Sequence, residues 1–114
     1  MDDCIFCKIA KKEIKSEFIY ESDNFFVIND IKPKSPGHCL IISKKHFVNL
    51  LDLPASFGIE LMDVVKVVAE KRLKEGAEGF NLMINNFPAA GQVVMHSHIH
   101  LIPRKSEDNL VLIN

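Results

Sequence analysis

The stretch VVMHSHIHLIPR, residues 93–104, constrains the fold more tightly than any other, because polar and apolar side chains alternate through it. His96, His98 and His100 stand at every second position. Side chains on a β-strand point to alternate faces, so these three share one face at a spacing of about 6–7 Å. Met95, Ser97, Ile99 and Leu101 take the other face. A helix would bring only 96 and 100 together, and the β-branched neighbours favour the strand. The pattern predicts an extended segment over 94–102, closed by Pro103, which has no N–H to give a ladder.

Four further strands are expected. EFIYES (17–22) and NFFVIND (24–30) are aromatic and β-branched and straddle Asp23, which reads as a hairpin. HCLIIS (38–43) follows Pro36-Gly37, and FNLMIN spans 80–85. One long helix interrupts them, with Asp52 as its cap, Pro54 in its first turn, and Lys71, Arg72 and Lys74 at its negative end before Gly76. Phe57, Leu61, Val64 and Val68 follow the 3.6-residue period and should face the core. Ile59, Met62 and Val67 leave a second apolar side, either incidentally exposed or a subunit contact. Antiparallel strands with one long helix make an α+β domain, and 114 residues are the length of a single domain, 1–114.

Bulk properties exclude several classes. Lys and Arg number 14 against 15 Asp and Glu, so the chain lacks the basic footprint of a nucleic-acid binder, and only a small nucleotide stays open as a ligand. No apolar run reaches membrane-span length and MDDCIFCKIAKKEIK lacks the plan of a secretory signal, so no membrane role and a cytoplasmic location are expected. Three cysteines, an odd count, argue against a disulfide framework.

Two constellations carry chemistry. Three imidazoles facing one way suit either a three-histidine metal centre or an acid, a base and a nucleophile at close quarters. Just upstream, NNFPAAGQ (85–92) has the parts of an anion site: Gly91 for close backbone approach, Asn85 and Gln92 as amide donors. Cys4 and Cys7 have the C-x-x-C spacing of half a zinc site, which redox pairs share. Cys39, inside a strand, reads as a small buried apolar residue.

GQVVMHSHIHLIPR resembles the signature of the histidine-triad (HIT) nucleotide-binding proteins, His-φ-His-φ-His-φ-φ with φ apolar, Ser97 being a mild departure. NDIKPKSPGHCLIISKKH (29–46) resembles that family's first block and CIFCKI (4–9) its N-terminus, closest to the Hint-like branch. The resemblance implies a HIT-like fold, with about five antiparallel strands, one long helix and a short N-terminal helix. It implies a homodimeric hydrolase of nucleoside phosphoramidates or of acyl- or aminoacyl-adenylates, acting on a purine nucleotide of AMP or GMP type. By the same resemblance His98 is the nucleophile, its other nitrogen held by the His96 carbonyl. His100 contacts phosphate and leaving group and delivers the proton, and His38 completes the phosphate environment. Asp30 binds ribose; Ile5, Phe6, Ile9, Ile28 and Ile31 form the base pocket, although from the bare sequence they read as core. Asn85, Gly91, Gln92 and the backbone of Val93 bind phosphate, Val93 standing where many relatives have a hydroxyl. Relatives with the N-terminal cysteine pair bind structural Zn²⁺, through residues matching Cys4, Cys7, His46 and His96. No organic cofactor is implied. Beside this reading stand a zinc hydrolase built on His96, His98 and His100, and a nucleotide-binding regulatory protein with incidental turnover.

Overall fold

The computed structural model describes residues 3–112. Five strands form one antiparallel sheet in the order β1-β2-β3-β5-β4. They are β1 (Tyr20–Glu21), β2 (Phe25–Asn29), β3 (Cys39–Ser43), β4 (Gly79–Met83) and β5 (His98–Arg104). A short helix α1 (Ile5–Ala10) precedes them, and the long helix α2 (Gly58–Lys74) joins β3 to β4. Both expectations of class, an α+β fold of five antiparallel strands and the two helices, hold.

The unbroken apolar runs of β2 and β3 are explained by burial on both faces. Phe25, Val27, Cys39, Ile41 and Leu101 pack with Val64, Val68 and Ala69 of α2. Phe26, Ile28, Leu40 and Ile42 pack with Phe6 and Ile9 of α1 on the opposite face. Phe57 and Leu61 join the α2 cluster, as their periodicity requires. The register Leu40↔His100 and Ile42↔His98 sets both imidazoles on the α1 face. That face therefore carries the polar chemistry.

Several boundaries differ from the sequence reading. β5 starts at His98 rather than 94, because residues 94–97 turn along the end of β3. There Ser97 N donates to Phe47 O (2.6 Å) and Ser43 N to Ser97 O (3.4 Å). Pro103 lies within β5 and does not close it. Its carbonyl accepts from Ser35 Oγ (2.6 Å), on the side where β3 has already ended at Cys39 opposite Leu101, so its missing N–H breaks no ladder bond. The hairpin is present, but its first strand is only two residues long. Asp52 does not cap α2: its Oδ2 accepts from Val48 N in the preceding loop, and a 3₁₀ turn, Ala55–Phe57, intervenes before the helix.

Candidate functional site

The loop between β2 and β3 is the first part of the site, and it is held by backbone conformation and by Arg72. Gly37 sits at φ +87°, and a Cβ there would come to 3.2 Å from the Arg72 side chain and 3.3 Å from Pro103. The left-handed backbone favours glycine, and a side chain would also crowd Arg72 and Pro103. Arg72 reaches from the last turn of α2 to donate to Gly37 O, Asn29 Oδ1 and Glu75 Oε1. This buried clamp was read from sequence only as a complement to the helix dipole. Within the loop, Lys34 N donates to His38 Nδ1 at 3.0 Å.

That one contact sets the protons of two rings. A neutral His38 accepting at Nδ1 must carry its hydrogen on Nε2, which lies 3.0 Å from His100 Nδ1. His100 then accepts at Nδ1 and holds its own hydrogen on Nε2. Asp30 stands beside both rings, Oδ2 being 3.5 Å from His38 Nε2 and 4.0 Å from His100 Nδ1. Burial, with the charges of His98 and His38 adding to it, pushes His100 down to about 4. Burial also lowers His38, against the pull of Asp30. In the free protein both rings are therefore neutral hydrogen-bond donors at neutral pH, and His100 alone holds no acid proton to hand over.

His98 Nδ1 lies 2.8 Å from the carbonyl oxygen of His96. A carbonyl can only accept, so Nδ1 carries a hydrogen, and in the neutral ring the lone pair is at Nε2. The ring of His98 packs 5.1 Å from that of His100, centroid to centroid. His96 faces elsewhere. It is fully buried, its Nε2 donates to Ser43 O (2.6 Å), and its Nδ1 lies 3.2 Å from Cys4 Sγ and 3.5 Å from Cys7 Sγ. His46 Nδ1 is 3.2 Å from Cys7 Sγ. The three histidines are thus sorted into two groups, because the chain bends before 98. They do not converge on one point, and the three-histidine metal centre has no geometry here.

Cys4, Cys7, His46 and His96 instead bring four ligand atoms within 4.8 Å of one another. Tetrahedral zinc with bonds of about 2.0–2.3 Å separates its ligands by roughly 3.3–3.8 Å, close to the contacts above. The Nε2–H bond to Ser43 already leaves the His96 Nδ1 lone pair facing the thiols, the orienting contact expected around a metal-bound imidazole. The donor set fits zinc. Ser43 and Ser97, whose hydroxyls lie 2.7 Å apart, pin the same corner; the polar Ser97 at an otherwise apolar motif position was the signal for that pairing.

The remaining expected site residues are divided. Phe6, Ile9 and Ile28 are core, whereas Ile5 is half-exposed and Ile31 is 92% exposed, so these five do not form one enclosed pocket in the free protein. Gln92 is buried, and its side chain is consumed within the chain. Nε2 donates to Val48 O and Val94 O while Oε1 accepts from Phe87 N, so it offers no amide to a phosphate. Gly91 is left-handed (φ +93°), and a Cβ there would meet only Asn85 at 3.7 Å, so the demand is conformational rather than one of close approach. Val93 is 88% exposed.

A two-helix-covered antiparallel sheet presenting adjacent, tautomer-fixed imidazoles defines a histidine-triad protein. The chain belongs to the HIT family, whose domain matches residues 11–107. It is 43% identical over 110 residues to the adenylylsulfatase HINT3 of Arabidopsis thaliana, covering 96% of this chain and 56% of that protein. It is also 41% identical to the adenosine 5'-monophosphoramidase HNT1 of Candida albicans, covering 91% of this chain and 72% of that one. A solved structure of a Zn-bound histidine triad family protein from Mycobacterium smegmatis superposes with a TM-score of 0.88. It is 37% identical and covers 96% of this chain and 81% of the other. Among the described residues, no helix is long and apolar enough to cross a membrane.

Proposed function

We propose that the protein is a cytoplasmic, homodimeric hydrolase of purine nucleoside phosphoramidates or of acyl- or aminoacyl-adenylates, working through a nucleotidyl-histidine at His98. The observation that carries this reading is the fixed tautomer of His98, with Nδ1–H against the His96 carbonyl and the lone pair left at Nε2. Relatives named adenylylsulfatase and adenosine 5'-monophosphoramidase support the substrate class.

The His98 Nε2 lone pair forms a bond to the α-phosphorus as the bond from phosphorus to the leaving nitrogen or oxygen breaks. His100 directs its Nε2–H at a phosphate oxygen, and His38 fixes that orientation from behind. The leaving group takes its proton from solvent, because His100 Nδ1 is already engaged in accepting from His38 Nε2–H and the ring has no place for a second hydrogen. Water then attacks the phosphorus and gives a proton to solvent, the bond to Nε2 breaks with its electron pair returning to the ring, and the nucleoside monophosphate leaves with the imidazole restored. Asp30 accepts from the ribose hydroxyls, Ile5 and Ile31 cover the base, and Asn85 with the backbone at Gly91 and Val93 holds phosphate oxygens. Cys4, Cys7, His46 and His96 would hold zinc, which supplies a structural tie between the N-terminus and the sheet.

The test is release of AMP from adenosine 5'-phosphoramidate. The wild type should turn over, and His98→Ala should lose at least about a thousand-fold in rate. A His98→Ala variant as active as wild type would overturn the assignment.

A further inference from the structure

We propose that Arg72, in the last turn of α2, is a positioning residue for His38 and Asp30, acting on both through the β2–β3 loop. The proposal rests on the reading of these two side chains, with His100, as partners of phosphate and ribose. The Arg72 guanidinium donates from Nη2 to Asn29 Oδ1 at 2.9 Å and from Nε to Gly37 O at 3.0 Å. Asn29 immediately precedes Asp30, and Gly37 immediately precedes His38. One planar cation thus grips the chain beside both functional side chains, at the two ends of the loop. Its third nitrogen, Nη1, donates to Glu75 Oε1 at 2.9 Å, which steadies the fork from the end of the same helix.

All three guanidinium nitrogens are engaged, and the residue is only 9% exposed, so water competes little for these bonds. What the clamp holds decides where protons sit. Asp30 N donates to His38 O and His38 N to Ser35 O, each at 3.0 Å, which closes the loop on itself. Only in that closed form does Lys34 N–H meet His38 Nδ1 and leave the His38 hydrogen on Nε2, facing His100. Turning the Gly37 carbonyl away from Arg72 rotates the peptide that enters His38 and opens the span from Lys34 to the ring. Both rings are then free to exchange tautomers, and His100 no longer presents an N–H to a phosphate oxygen at every encounter. A lysine would complement the negative end of α2 equally well. Its single ammonium on a flexible stem has no fixed fork with which to hold both loop ends and Glu75 together.

The test is Arg72→Lys in zinc-loaded protein, measured well below its unfolding temperature. The charge at the end of α2 is kept, so a cation serving only the helix dipole would leave every readout at wild type. The clamp predicts a fall of at least about ten-fold in kcat/KM for adenosine 5'-phosphoramidate. In ¹H–¹⁵N spectra of the imidazoles without substrate, the single Nε2–H forms of His38 and His100 should give way to averaged tautomer signals. Lower global stability alone does not produce that change in a folded sample. A wild-type kcat/KM, or unaltered spectra of these two rings, would overturn the clamp and leave Arg72 a residue of the fold only. If Arg72→Lys does not fold, Asn29→Ala, which removes one of the two loop contacts, is read by the same measures. A wild type without turnover would sink the hydrolase reading alone, since the ring spectra need no substrate and still decide the clamp.

Discussion

His96 and His98 are separated by one residue yet face opposite tasks, and the difference lies in which nitrogen each can leave bare. Ser43 O takes the Nε2 hydrogen of His96, so Nδ1 is offered to the thiols; the His96 carbonyl takes the Nδ1 hydrogen of His98, so Nε2 is offered outward. Alanine at either position should therefore have distinct effects. His96→Ala should lose bound zinc and about 2–5 kcal/mol of stability, from a vacated buried site and a lost ligand. His98→Ala should keep both and lose turnover. Metal analysis and urea unfolding of the two variants check this, and equal metal content in both would refute the division of labour. Residues with several chemical uses were the hard ones to read in advance. Gln92 has the type of a phosphate donor, but its amide is spent on Val48, Val94 and Phe87, which only the approach of two loops reveals.

At the level of elements, period and composition were sufficient for five strands and α2, and burial explains the pattern of β2, β3, β5 and α2. Where a partner outside the element decides the outcome, the sequence was silent. The bend at 94–97 depends on Phe47 and Ser43, and the tolerance of Pro103 within β5 depends on where β3 ends. The cysteine spacing was legible, whereas its partners came from family resemblance. Edge strand β4 exposes Phe80 and Leu82, and α2 exposes Ile59 and Met62. A free apolar edge of this kind invites pairing with a second copy. Light scattering should give the mass of a dimer, and Leu82→Lys should weaken it at least ten-fold in dissociation constant. A wild-type chain that is monomeric at tens of micromolar would remove the subunit contact.

Across the whole molecule, buried imidazoles make stability depend on pH. In the metal-free protein burial pushes His96 and His100 each down to about 4, and His38 is lowered in the same direction. A depressed histidine stabilises the fold while neutral, so this contribution is complete above the unfolded value near 6.5 and is lost as pH falls toward 4. The loss should reach a few kcal/mol, seen as a falling urea midpoint between pH 6.5 and 4. His100→Asn, which keeps an acceptor for the His38 ring, should flatten part of the fall, and an unchanged slope would contradict the assignment.

The proposed nucleophile is one imidazole with Nδ1–H against the His96 carbonyl and Nε2 turned away from it, so the decisive measurement is the intact mass and peptide map of the protein after acid-free quenching during turnover of adenosine 5'-phosphoramidate. Wild type should carry one AMP less water on the peptide containing His98, and His98→Ala should carry none. Full hydrolysis with no adduct at any time point, or an adduct on another residue, would contradict it.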